Sequence, residues 1–344
     1  MNRIESVDIF RLIAIVAVII IHTTPFRSDD GVTNETSRYL DVIFNQIARF
    51  AVPFFFVISG YFWGVKIRNG GDPISTSLYM AKRIIIIFVA WCFIYLLPYN
   101  FNYIYEYGVW GTIKVSYWHI RDLIQYPLTL LMQGTKNHLW YLVGLLCAIL
   151  ISTFFAQIKQ IKMLVILSIF LYLFGVLAKS YVDTPMGIHL DFNTRNGPFF
   201  STFLFVTGYL LSGKNINTNW VFYGLSVFCM GSVLHFTEIY YLWEIFGTST
   251  HHDYVIGTYF MGVGVAMAAL SNHPALKNKA LSKIGQMTLG IYAVHFIFVD
   301  LLRPIDKTLN SDLWEAGYVL AVLVLSIVTS LALCKNKITK QIIV

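Results

Sequence analysis

Apolar residues along this chain come in long unbroken runs, and short polar stretches separate the runs. Ten stand out, at roughly 7–26, 42–66, 81–99, 138–157, 162–180, 195–212, 219–237, 254–271, 285–303 and 313–334. Each is longer than an ordinary strand, and about 20 apolar residues in a helix cross a bilayer once. A helix also satisfies its own backbone hydrogen bonds where no water is available. The pattern predicts an all-α, polytopic integral membrane bundle of about ten transmembrane helices. It reads as one transmembrane domain over residues 1–344 with no appended soluble domain. The longest connection, about residues 100–137, holds Trp110, Trp118 and the run DLIQYPLTLLMQ, which reads as an interfacial or re-entrant helix. The first run is too long for a signal-peptide core, contains Arg11 and is followed by PFRSDD, so it reads as a retained span.

Composition sharpens this picture. The 344 residues are 57% hydrophobic and 12% charged, with mean hydropathy +0.64. Soluble domains carry about 25% charged residues, which excludes a water-soluble globular protein. The net charge of +7 suggests nucleic acid at first sight, but most of the cations sit in short loops between apolar runs, as orientation signals do. With the N-terminus, the even-numbered loops and the C-terminus on one side, that side holds 14 basic and three acidic residues, and the other holds eight basic and fifteen acidic. The positive-inside rule then puts both termini in the cytoplasm; membrane lipids are expected partners, and nucleic acid is not. Cys92, Cys147, Cys229 and Cys334 lie in or at the end of apolar runs without CxxC spacing, so they read as inert thiols, and no metal site is expected.

Ionisable groups within spans are costly and mark function. Arg11 and His22 share the first run, eleven residues apart. That spacing returns to the same helical face after a rise of about 16 Å. One stripe thus carries a cation near one membrane face and an imidazole near the other; snorkelling of Arg11 and simple packing of His22 give the same pattern. Thr288 and His295, seven apart, share a face that should point inward. Lys179 and the pair His251-His252 sit at run ends and read as interfacial.

Further motifs accompany the Arg-x10-His stripe. They are Asp8 three residues before Arg11, the stretch VPFFFVISGY with Ser59 and Tyr61, HLWYL from His138 to Leu142, Arg195-Asn196-Gly197-Pro198, and Gly290-Ile291-Tyr292-Ala293-Val294-His295. In this combination the chain resembles acyltransferase family 3, the integral-membrane O-acyltransferases of bacterial cell envelopes and their relatives. The resemblance covers the chain in order, with Leu12 standing where the family often has Gly.

The resemblance implies transfer of an acyl group, acetyl above all, from cytoplasmic acetyl-CoA (acyl-CoA) to a hydroxyl of an envelope glycan or lipid-linked sugar. It places the protein in the bacterial inner membrane. Some relatives append a soluble domain, and the end of this chain after its tenth run suggests direct transfer to the acceptor. Such chemistry needs a base, and His22 is the expected one, because imidazole titrates near neutrality. Arg11 is expected to hold the donor's pantetheine or phosphate part or to order its span. Lys82, Arg83, Ser59 and Tyr61 are expected on the donor side, although Lys82 and Arg83 equally suit orientation anchors. Arg49, His138, Trp140, Arg195 and His295 are expected on the acceptor side. Arg49 is expected to stabilise an oxyanion, to orient a sugar or to pair with an outer-loop acid, and Trp140 to serve as a stacking platform or an aromatic-belt residue. On physics alone a secondary transporter or exporter suits the intramembrane Arg and His equally well.

Overall fold

A computed structural model describes residues 3–26, 35–97, 101–309 and 311–343. Residues 27–30 of the PFRSDD stretch, the 98–99 end of the third predicted run and residue 100 of the longest connection lie outside the described residues. Within the described residues the regular structure is helical. The helices are α1 (Glu5–Thr23), α2 (Glu35–Ile47), α3 (Ala51–Arg68), α4 (Pro73–Ile94), α5 (Phe101–Gln125), α6 (Pro127–Gln133), α7 (Trp140–Gln157) and α8 (Ile161–Leu177). They continue as α9 (Pro198–Leu211), α10 (Trp220–Phe246), α11 (Ile256–Leu270), α12 (Lys279–Gly285), α13 (Thr288–Leu309), α14 (Asp312–Cys334) and α15 (Lys337–Lys340).

Every one of the ten apolar runs falls on a helix. Seven helical segments among the described residues are long and apolar enough to cross a membrane: α1, the α2–α3 pair, α4, α7, α10, α13 and α14. The runs that became α8, α9 and α11 are apolar but shorter. The boundaries move for local reasons. Gly197, at φ +78°, and Pro198 start α9 three residues later than the hydropathy does, since proline suits the first helical turn. In α10 the helix continues to Phe246 and stops at Gly247, which adopts the left-handed conformation that ends helices. The 100–137 stretch forms two helices instead of one. Gly108 bends α5, Pro127 opens α6, and α5 exposes Trp110 and Ile124.

The packing explains the small residues of the SGY and TGY segments. A Cβ on Gly60 would lie 1.9 Å from the carbonyl oxygen of Phe205, and one on Gly208 would lie 1.9 Å from that of Val57. Each glycine therefore admits the backbone of the other helix, the small-residue packing familiar between membrane helices. That contact draws α3 onto α9 and buries Phe54, Phe56, Trp63 and Phe205 in the core.

Because a backbone carbonyl cannot swing aside, Gly208→Ala should destabilise the bundle by about 1–3 kcal/mol. Gly317→Ala on α14, where the nearest atom to an added Cβ is 3.8 Å away, should be neutral or mildly stabilising. Thermal unfolding of the two variants in detergent checks this, and equal midpoints would contradict the close approach of α3 and α9.

Candidate functional site

At one end of α1, Asp8 is buried and receives three donors: Arg3 Nε at 2.6 Å, Arg11 Nη1 at 3.2 Å and Ser282 Oγ at 3.1 Å. A buried carboxylate needs such partners, and here they tie α1 to α12 and fix Arg11. The Arg11 guanidinium also lies 5.5 Å from the centre of the Phe62 ring, within cation–π range. Arg11 opens onto a cavity of about 340 Å³, which Ser59, Lys66, Tyr79, Arg83, Tyr141 and Tyr292 help to line. The cavity has three cationic side chains, and among the described residues no carboxylate lines it. Lys66 and Arg83 are exposed at one end, whereas Tyr292 at the other is buried. The interior is otherwise apolar, with Val18, Ile58 and Leu145 on the wall.

Beyond Tyr292 three histidines meet. His22 comes from the far end of α1, His138 from the turn Asn137–Leu139 ahead of α7, and His295 from α13. Ring centres are 5.4 Å apart for His22–His295, 5.1 Å for His138–His295 and 6.4 Å for His22–His138. Phe296 stacks on His138 at 4.9 Å and packs against His22 at 4.8 Å. The Tyr292 hydroxyl donates to the carbonyl of His138, and that of Tyr95 donates to the carbonyl of Ala293 at 2.7 Å. The tautomer of His295 follows from its partner. Nδ1 lies 2.6 Å from the Tyr292 carbonyl oxygen, which can only accept, so Nδ1 carries the proton. In the neutral ring, Nε2 is then an unprotonated lone pair, and it is buried without a hydrogen-bond partner among the described residues. Neither ring nitrogen of His138 makes a hydrogen bond of normal geometry there.

Beside the histidines, three cations converge on one carboxylate. Asp253 Oδ1 pairs with Arg49 Nη1 at 3.0 Å and Arg195 Nη1 at 3.1 Å, and Oδ2 lies 3.5 Å from Lys179 Nζ. Arg49 also donates to Asn45 Oδ1, and Arg195 to Asn137 Oδ1 at 2.8 Å. The cluster keeps a surplus of two positive charges, close enough to His22 to act on it electrostatically. Burial alone would raise the Asp253 pKa, but Arg195, Arg49 and Lys179 outweigh it and hold the group well below the usual carboxylate range. Burial, reinforced by Arg49, brings the neighbouring His252 down to about 4, so it is neutral at pH 7.

Of the residues singled out by sequence, Arg11, Ser59 and Arg83 share the cavity, and His22, His138 and His295 share the cluster. Lys82 and Tyr61 do not line the cavity: Lys82 is exposed one position around α4 from Arg83, and Tyr61 packs on Phe62. Arg49 pairs with an acid, one of its expected fates. Trp140 is buried, and the Arg195 guanidinium lies 4.9 Å from its ring centre. Lys179 and His252 read as interfacial in the sequence, but Lys179 joins the ion cluster, His252 is buried beside it, and His251 lies 3.0 Å from Asp41. Thr288 and His295 are both buried, as their shared face requires. Lys66, Tyr141, Tyr292 and Asp253 were not assigned from the sequence. Tyr141 and Tyr292 sit inside the WYL and GIYxxH segments, and Lys66 hides among the loop cations. Asp253 has no spacing relation to Arg49, 204 residues away.

Asp253→Asn leaves three cations facing one another and should cost about 3–5 kcal/mol, the range for breaking one side of a buried ion pair. Adding Arg195→Gln should recover part of it. With a folded pKa below the unfolded value of about 3.9, the stability from Asp253 is present above that value and is lost as pH falls through the folded pKa. The deficit of the variant should therefore be constant between pH 5 and 8. Thermal melts across that range measure this, and a deficit that vanishes at pH 5 would contradict the assignment.

Among known proteins, an amino-acid racemase of Enterococcus faecalis is 26% identical over 374 residues, covering 98% of this chain and 48% of that protein. A second amino-acid racemase of the same species is 27% identical over 220 residues, covering 60% of this chain and 28% of its own length. The chain spans about half the length, or less, of these curated relatives. No solved structure matches it. The family described as an acyltransferase domain matches residues 4–335. That match takes in the Arg11–His22 stripe, the cavity and the histidine cluster, and the chain belongs to acyltransferase family 3.

Proposed function

We propose that the protein is a membrane O-acyltransferase that moves an acyl group, acetyl by preference, from acyl-CoA to a hydroxyl of a cell-envelope glycan or lipid-linked sugar. One observation carries the reading: the cationic cavity at Arg11, Lys66 and Arg83 ends at Tyr292, whose ring centre is 5.3 Å from that of His138 and 6.0 Å from that of His295. Three cations at a mouth suit the phosphates of a CoA thioester. A narrow, mainly apolar interior suits its pantetheine arm. The positive-inside count assigns that mouth to the cytoplasm and the histidines to the outer half of a bacterial plasma membrane, with ten helices crossing and both termini inside.

In this scheme His22, the half-buried member of the cluster, takes the proton of the acceptor hydroxyl as its oxygen attacks the thioester carbonyl. A C–O bond forms, the C–S bond breaks, and the proton returns to the CoA thiolate. The His295 ring, 5.4 Å from that of His22 between centres, offers its unprotonated Nε2 as a positioning acceptor for the His22 ring N–H through one water. The cationic surplus around Asp253 favours the negative charge that develops on the carbonyl oxygen.

His22→Ala should lower transfer by about 10²–10⁴-fold while acetyl-CoA still binds, because a base contributes to the transition state and little to donor affinity. His295→Asn keeps a donor for the Tyr292 carbonyl but lacks Nε2, and should lose turnover with donor affinity retained. Arg11→Ala should weaken CoA binding as well. Labelled acetyl-CoA with purified protein and envelope glycans measures all three. Full turnover by a folded His22→Ala variant would overturn the base assignment. Absence of any transfer, with substrate-driven flux across vesicles instead, would favour an exporter.

A further inference from the structure

A second cavity, of about 210 Å³, lies between the end of α4, α5 and α6. Its lining includes Tyr95, His119, Asp122, Tyr126, Gln133 and Thr135. Cavities that envelop drug-sized ligands run to about 300–1,000 Å³, so this one matches a single small ring. The lining offers a carboxylate, an amide, several hydroxyls and two tyrosine rings. Among the described residues no lysine or arginine lines it, so its one fixed charge is negative and it is a poor receptor for phosphate. Bidentate polar groups beside aromatic faces suit an uncharged polyhydroxyl ring, which has both hydroxyl edges and apolar C–H faces.

The position of this cavity gives it a role. The Tyr95 ring on its wall is 5.0 Å from that of His138. The side-chain oxygen Oε1 of Gln133 accepts from Asn196 Nδ2 at 3.3 Å, and Asn196 Oδ1 in turn accepts from Arg195 Nε at 3.4 Å. Thr135 donates to the Cys92 carbonyl at 2.8 Å and fixes the cavity floor to α4. The next residue, Lys136, pairs with Asp300 at 2.5 Å and lies 4.7 Å from the centre of the Phe296 ring, which stacks on His138. The cationic cavity thus reaches the histidines through Tyr292, and this one reaches them through Tyr95, with His138 between the two rings. We infer that the cavity between α4, α5 and α6 binds a neutral sugar ring of the acceptor and presents its hydroxyl to the histidine cluster. The inference rests on the acyl-transfer reading above.

The test uses membranes carrying the full chain, labelled acetyl-CoA, and neutral oligosaccharides released from the producing cell's envelope as the probe. Asp122→Asn and Gln133→Ala should each raise the acceptor concentration for half-maximal transfer by about fivefold or more, the loss of one hydrogen bond to a charged or neutral group. Acetyl-CoA affinity should be unchanged, which also shows that the variants fold. Thr129→Trp, which fills the cavity, should abolish transfer with donor binding intact, and Ile124→Ala on the exposed face of α5 should alter neither. Unchanged acceptor saturation in all three cavity variants, with normal wild-type transfer, would overturn the sugar site and leave acyl transfer standing. If the wild type transfers nothing, the acyl-transfer reading fails. Equilibrium binding of the same oligosaccharides then decides the site: binding lost in Thr129→Trp supports it, and no binding, or binding unaffected by the substitution, overturns it.

Discussion

Hydrocarbon cannot solvate a guanidinium or a carboxylate, so the buried charged groups on these apolar helices turn inward and are met by polar partners. Arg11 meets Asp8, which Arg3 and Ser282 also hold. Arg49, Arg195 and Lys179 meet Asp253. These meetings bind helices that are far apart in the chain, and they leave two polar centres at opposite ends of α1. The small residues at Gly60 and Gly208 let the helices between those centres approach closely enough to wall off a cavity.

The two centres differ in how completely their polar groups are satisfied. Asp8 and Asp253 have a full complement of donors, as structural ion pairs do. Two of the histidines do not: among the described residues, Nε2 of His295 is buried without a partner, and neither ring nitrogen of His138 makes a hydrogen bond of normal geometry. A buried polar group left unpaired costs about 1–3 kcal/mol, and such a cost concentrated on two imidazoles beside His22 suits groups held ready for a reacting molecule. The backbone bond from His295 Nδ1 to Tyr292 sets which nitrogen is free.

Much of the fold was legible because hydropathy is a local property. Each apolar run lies on a helix, and the runs that become α8, α9 and α11 differ only in being shorter. The Arg11–His22 stripe was legible for the same reason, since both residues sit on one helix. What the sequence could not order was pairing across helices. Asp253 lies in an unremarkable loop, and its link to Arg49 and Arg195 exists only once α2, α9 and α11 are packed. Lys66 and Lys82 look alike as loop cations, and the helical angle between neighbouring positions decides which cations border the cavity. Tyr292 lay within a motif whose histidine drew the attention, although its ring lines the cavity and lies 5.3 Å from that of His138.

The central claim is that donor and acceptor reach the histidines from different sides, the donor through the cationic mouth at Arg11, Lys66 and Arg83. Sealed vesicles of both orientations, supplied with labelled acetyl-CoA on the outside alone and with acceptor glycan on both sides, test this directly. Label should enter glycan only in vesicles that present the cationic mouth to the donor, and it should appear on glycan at the opposite face. Equal labelling in the two orientations, or labelled glycan confined to the face that received acetyl-CoA, would contradict the account.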